Sequence, residues 1–309
     1  FADFKNFLVE DAREDGAEYW FDARVSKPIM ENGDIVGVRF NGDQEVYGDI
    51  VIDATGPAAP LAKDLGVTGL EREHQAIGVE YELEGIDIDA DGYADLTDAM
   101  MLRLDHDLAP GGYSWIFHTG EDTAKVGLCY IQNEAHRDYA KDGMSIDGYL
   151  QYWLDNDPRF ESAERIAGNQ HRGSAHIQMP DGFSTDNFMA VGDTVPTIDP
   201  TWMKSGRAAA VTADRCFMSS DRDTSAEKLA IYDDLWNERV APKMRRRLLM
   251  TQLLYLVPNN RYDTLIRDLN RVDADALRKA NTGSIRGILK LIHTDDIPIL
   301  AEFAKERLL

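Results

Sequence analysis

The chain has 309 residues, 43% apolar and 28% charged, which is a folding rather than a disordered composition, long enough to bury roughly three quarters of its unfolded surface. Acids outnumber bases 55 to 33, and the net charge of -22 argues against a nucleic-acid partner. The two cysteines, Cys129 and Cys216, form no disulfide framework, and neither they nor the seven histidines show metal-ligand spacing, so no metal is expected.

The charge has a particular texture. Asp outnumbers Glu 37 to 18, Arg outnumbers Lys 22 to 11, and the acids are spread along the whole chain. Short, strongly hydrated carboxylates with few lysine stems suit a protein working in molar salt, where the Debye length is about 3 Å and self-repulsion is screened. The plainer alternative is an acidic cytosolic protein, but both ratios lean towards salt adaptation. No signal peptide is visible, and the longest apolar run, Leu248 to Val257, includes Thr251 and Gln252 and is too short to span a bilayer. A soluble protein of the reducing cytoplasm is expected.

In chain order, Phe4, Phe7, Leu8 and Ala12 share one helical face before Gly16 stops the helix. This abrupt opening, without Met, leads us to expect further sequence upstream. "GAEYWFDARVSKPI" reads as a strand, "GDIVGVRF" as a second and "QEVYGDIVIDATG" as a third, with Asn32-Gly33 as a hairpin turn. "AAPLAKDLG" is a short helix. Residues 74–182 read mainly as β, interrupted by one helix near Ser145 to Asn156. "NFMAVGDTVPTIDP" is a strand running into a turn, "SGRAAAVTADRCFMS" a small-residue helix, and the remainder is helical with a break near Pro258. The expected class is α/β with an α+β insertion, divided as 1–73, a β-rich 74–182, 183–224, and a helical 225–309.

Two segments carry chemistry. Asp53-Ala-Thr-Gly56-Pro follows a buried strand, as at the carboxyl end of a nucleotide-binding sheet. Gly192-Asp193 follows "FMAV" and leads to Pro200; a carboxylate fixed there can accept hydrogen bonds from ligand hydroxyls, or merely cap a turn. Between them lies Tyr113-Ser-Trp115-Ile-Phe117-His118, with aromatics alternating to one face, leading to a Val126-Gly127-Leu128 strand. Taken alone, that alternation fits core packing.

In this order, the three segments resemble the FAD-dependent geranylgeranyl reductase family (digeranylgeranylglycerophospholipid reductase-like, haloarchaeal type). The resemblance implies a p-hydroxybenzoate hydroxylase-like FAD fold with an antiparallel β-sheet substrate domain and C-terminal helices. It further implies reduction of isoprenoid double bonds in archaeal membrane lipids, with NAD(P)H or ferredoxin as electron donor. Carried over residue by residue, Val25 would meet the adenine, Asp53 and Gly56 the wall near the flavin ring, and Gly192, Asp193 and Pro200 the rest of the cofactor. Tyr113, Trp115 and Phe117 would line the lipid channel. No catalytic acid is assigned; His118 stands where the family has proline, as a proton source or a surface histidine.

The sequence departs from that pattern twice. The family's ADP-binding Gly-x-Gly-x-x-Gly segment would precede Phe1, and the Gly-rich turn after Pro200 is shorter here by about seven residues, in a chain passing from Trp202 to Met203. A non-catalytic module without its flavin domain is therefore a second reading, and an aromatic hydroxylase of the same fold a third. Lys243-Met-Arg-Arg-Arg247, ahead of an apolar run, suits either a peripheral membrane contact or a core helix with a solvated cap. The charge texture predicts that the melting temperature rises steeply between low and molar salt; an unchanged melting temperature would contradict salt adaptation.

Overall fold

Asn32 and Gly33 both adopt positive φ, 54° and 102°, as a two-residue hairpin requires. They fold β1 (Val25–Glu31) antiparallel onto β2 (Asp34–Phe40), and β3 (Gln44–Tyr47) completes a three-stranded sheet. The computed structural model describes residues 2–97, 99–196, 210–215, 222–275 and 297. Before this sheet, α1 (Ala2–Glu14) forms as its apolar spacing predicts. Residues 17–24, expected as strand, are not; Tyr19, Trp20 and Phe21 are exposed there, and β1 begins only at Val25.

The expected third strand is two. Gly48-Asp49-Ile50 interrupts it, and β4 (Val51–Asp53) leaves for a different sheet. There it pairs in parallel with β11 (Phe188–Ala190), which is antiparallel to β10 (Ser184–Thr185). Strands separated by over 130 residues are thus neighbours, and everything between them is an insertion. α2 (Pro60–Asp64) follows β4. Its Leu61 and Ala62 pack with Phe188–Ala190 and with the C-terminal Tyr232, Trp236 and Met244 in one buried core.

The insertion is a five-stranded antiparallel sheet in the order β6-β7-β8-β5-β9: β5 (Gln75–Glu84), β6 (Met100–Arg103), β7 (Gly112–Gly120), β8 (Thr123–Ile131) and β9 (Glu164–His176). Its inner face comes from strict alternation: Val79, Tyr81 and Leu83, then Ile116, then Ala124, Val126 and Leu128. These pack against Tyr149, Leu150 and Trp153 of α4 (Ile146–Asn156), whose N-cap Ser145 accepts from Gly148 N–H at 3.1 Å. A further helix, α3 (Glu134–Tyr139), goes beyond the single expected one; Asn133 caps it through His136 N–H at 3.1 Å.

Residues 210–215 are helical (α5). Then come α6 (Ala226–Leu229), α7 (Ile231–Arg239), α8 (Ala241–Leu256) and α9 (Asn259–Leu269). The helical expectation beyond residue 275 falls outside the described residues. α8 packs Met244 and Leu248 into the first core and Leu254, Tyr255 and Leu256 against Ile131 and Ala135 of the inserted sheet's side. It therefore bridges the two halves, and Lys243–Arg247 lie on a helix packed along one face. No described helix is long and apolar enough to cross a membrane.

The far end of α8 is held by a buried histidine. His106 stacks on Tyr139 at 3.9 Å; its Nδ1 accepts from Gly111 N–H at 3.1 Å, and its Nε2 bonds Val257 O at 2.9 Å. Asn259 accepts from His106 N–H at 2.7 Å and donates to Asp105 and Asp107 at 3.0 and 3.2 Å. An acceptor Nδ1 requires the neutral ring, and burial lowers the His106 pKa below 6.5. The unfolded chain binds a proton that the folded chain refuses, so this contribution is complete above the unfolded pKa and is lost as pH falls through the folded one. Stability in molar salt should therefore fall between about pH 7 and pH 5, with His136 and His176 adding in the same direction. His106→Phe keeps a flat ring against Tyr139 and should cost about 1–3 kcal/mol at neutral pH, with a shallower fall on acidification. An unchanged slope in that variant would contradict the assignment.

Candidate functional site

Asp53, at the end of β4, is 1% exposed and fully committed: one carboxylate oxygen accepts from Thr55 N–H (2.9 Å) and hydroxyl (2.6 Å), the other from Ala62 N–H in α2 (3.1 Å). Its work is to lock the strand-to-helix turn. Gly56 N–H donates to the buried Thr194 hydroxyl at 3.0 Å, and Val191 N–H donates to Asp53 O at 2.9 Å. The "DATGP" and "GDT" segments, 138 residues apart, are thereby stitched together at the carboxyl end of the parallel pair. Thr194 was not singled out from the sequence, and only the "GDT" context marks it.

Beyond this stitch, Gly192 adopts φ 64°, and a Cβ there would meet nothing within 4 Å. Asp193 beside it is exposed to solvent, yet enough protein surrounds its carboxyl for desolvation to raise its pKa, with no hydrogen bond or charged neighbour contributing among the described residues. Both line a cavity of about 840 Å³ between the outer face of the inserted sheet and α8. The outer face of the sheet floor is built from small residues, Gly78, Gly173 and Ala175, which leave room for the cavity.

Three aromatic residues lie along β7 on this outer face. Tyr113 stands opposite Cys129, and burial pushes the Cys129 thiol up to about 11, so it is an inert neutral group. Trp115 stands opposite Gly127 and lies flat across it: a Cβ on Gly127 would come within 2.4 Å of the indole Cζ2. The indole Nε1 donates to Glu80 Oε2 at 2.9 Å, and Glu80 also pairs with Lys125 at 3.4 Å. Phe117 stacks on Trp115 at 6.0 Å but lies outside the cavity lining. His118 has the opposite parity on β7, with ring nitrogens at Thr97 O (2.7 Å) and Glu121 O (3.3 Å), so it faces away from the cavity.

From α8, Met244, Arg247, Leu248, Thr251 and Tyr255 close the cavity. Their three- and four-residue spacing puts them on one helical face, a stripe legible in the sequence but obscured there by the run of arginines. Asp193 and Arg247 are the two charged side chains in the described lining. Gly192, Asp193, Tyr113 and Trp115 are thus brought together, whereas Asp53, Gly56 and Val25 are not; Val25 packs at the edge of the first core. Pro200 lies outside the described residues. Among the described residues, Glu71, Glu73 and His74 group three side chains able to ligate a metal, in exposed ion pairs sharing no residue with the cavity.

The Trp115–Gly127 contact is testable. Gly127→Ala should displace the indole and destabilise the protein by about 1–3 kcal/mol, with a shift in tryptophan fluorescence. Gly173→Ala, where a Cβ meets nothing within 4 Å, should leave the melting temperature within error. Equal effects of the two would contradict the placement of Trp115.

Comparison with known proteins puts this geometry in context. Residues 75–169, the inserted sheet and α4, match the family model of the geranylgeranyl reductase catalytic domain. The digeranylgeranylglycerophospholipid reductase of Haloferax volcanii is 66% identical over 313 residues, covering 99% of this chain and 76% of that protein. Digeranylgeranylglycerophospholipid reductase 2 of Methanopyrus kandleri is 27% identical, covering 87% of this chain and 68% of its own. Among solved structures, a geranylgeranyl bacteriochlorophyll reductase-like protein from Thermoplasma acidophilum superposes with a TM-score of 0.79 at 22% identity, over 98% of this chain and 74% of that one. A flavin-dependent brominase gives 0.66 at 19%, over 99% and 75%. The two superpositions establish a shared fold, and the sequence match establishes the family: this chain belongs to the digeranylgeranylglycerophospholipid reductases.

Proposed function

We propose that this chain reduces the double bonds of geranylgeranyl chains in archaeal membrane lipids as an FAD-dependent oxidoreductase of the cytoplasm. The observation that carries the reading is one cavity joining the Gly192-Asp193 turn to the aromatic face of the catalytic-domain sheet. A flavin bound at the turn and an apolar chain bound at the sheet would share a single water-poor space.

The residues present fit the cofactor. Gly192 offers backbone with open space where a side chain would stand, and Asp193 offers a solvent-reachable carboxylate suited to ribityl hydroxyls, whose hydrogen bonds would offset its partial desolvation. Flavin, when bound and reduced, supplies the hydride; the electrons come from NAD(P)H or ferredoxin. Gly56 and Asp53 act at one remove, holding the two turns in register. Tyr113 and Trp115 hold the isoprenoid chain by apolar contact, and Glu80 fixes the indole plane. The small-residue floor admits the chain and excludes water. A polar aromatic substrate, as a hydroxylase would need, finds little to recognise on this floor.

In the full-length protein, Asp193→Ala should weaken flavin binding at least about tenfold, a loss of about 1.4 kcal/mol, read by absorbance titration. Trp115→Ala should raise the KM for detergent-dispersed geranylgeranyl lipid while flavin affinity stays unchanged. Wild-type flavin affinity in the first variant, or wild-type kinetics in the second, would contradict these roles.

A further inference from the structure

The aromatic face of the sheet does not end at the cavity. Leu102 of β6 stands opposite Trp115 and Met100 opposite Phe117, so all four side chains project from the same outer face. Between them, Met101 turns to the other face, packs on the inner core, and accepts from Arg159 Nη1 through its sulfur at 3.5 Å. β6 is the outermost strand of its sheet, and Met100 and Leu102 are 74% and 62% exposed. Edge strands of water-soluble proteins are commonly blunted with charge; this one shows water an apolar strip continuous with the cavity.

We infer that the Met100–Leu102–Phe117 strip seats on the surface of a lipid bilayer, and that the isoprenoid chain passes along it between membrane and cavity. This rests on the lipid-reductase reading above. A substrate carrying long apolar chains meets a steep penalty in water, which an unbroken apolar track removes. Phe117, outside the cavity yet stacked on Trp115, is the link in that track. Around the strip Asp95, Asp105, Glu80 and Glu121 outnumber Arg103, which pairs with Asp105, and Lys125, which stands opposite Phe117 and pairs with Glu80, so an anionic membrane would repel this face at low salt. Molar salt reduces the Debye length to about 3 Å and removes the repulsion. Docking by this strip should therefore strengthen with salt, whereas docking by the arginines of α8 should weaken.

The test is flotation of the full-length protein with vesicles of diphytanylglycerol phosphoglycerol lipid, in low and in molar potassium chloride. The wild type should float in molar salt, and Met100→Ser with Leu102→Ser should lower the bound fraction about tenfold. Met30→Ser, exposed on the separate β1–β3 sheet, should float as the wild type does. Peroxide oxidation of Met100, read by peptide mass, should slow when vesicles are added. Undiminished flotation of the double variant would overturn the inference, as would binding that is lost only in Arg245→Gln. Protection of Met100 before vesicles are added would also overturn it, since a second copy or another segment of the protein would then cover the strip. Failure of the wild type to reduce detergent-dispersed geranylgeranyl lipid would instead defeat the reductase reading, whatever the flotation result.

Discussion

The site depends on one short parallel pairing. β4 and β11 contribute three residues each, and this brief ladder, reinforced by Gly56 N–H on the Thr194 hydroxyl, closes an insertion of more than 130 residues. Closing so long a loop costs entropy only logarithmically in its length, so a few buried strand pairs and a packed core can hold it. The pairing sets Gly192 and Asp193 at the strand ends, and the inserted sheet then stands over them. The buried commitment of Asp53 to Thr55 and Ala62 makes the turn rigid. An acidic residue that looked like a ligand is better understood as the fastener of the turn beside the ligand.

The cavity follows from subtraction as much as from construction. Its sheet face carries Gly78 and Gly173 where ordinary strands carry larger side chains, and beside them Trp115 lies down over Gly127. α8 is then held off by its own side chains, anchored by Met244 at one end and by the His106–Asn259 knot at the other. Because α8 joins both cores through Met244, Leu248 and Tyr255, which also line the cavity, the cavity's width is set by the packing of its own wall. Lipid specificity would thus be carried by the absence of side chains, with Asp193 and Arg247 the charged exceptions in the described lining.

Much of this was legible in the sequence, for physical reasons that differ by element. The Asn32-Gly33 hairpin, the Ser145 cap and the alternation in β5, β7 and β8 are local signals, and each appears where its chemistry requires. The strand read through "QEVYGDIVIDATG" is two, because Gly48-Asp49 turns the chain between Tyr47 and Val51 and the two halves pair in different sheets. Residues 17–24 read as strand from aromatic propensity, which here is not matched by any pairing partner. On the site, Tyr113, Trp115 and Asp193 were reachable from spacing and family resemblance. Thr194, Tyr255 and the Gly127 contact were not, since each acquires its role only from a partner distant in sequence.

The central claim is that one cavity brings reduced flavin and an isoprenoid double bond together. The most direct measurement is an anaerobic single turnover: full-length protein in molar salt, its flavin chemically reduced, mixed with digeranylgeranylglycerol phospholipid and followed by absorbance and lipid mass. The account predicts that the oxidised flavin band returns as lipid with one double bond fewer, about two mass units heavier, appears in equal amounts, and that Trp115→Ala slows both together. Flavin that stays reduced in the presence of the lipid, or reoxidises without that heavier lipid, would contradict it.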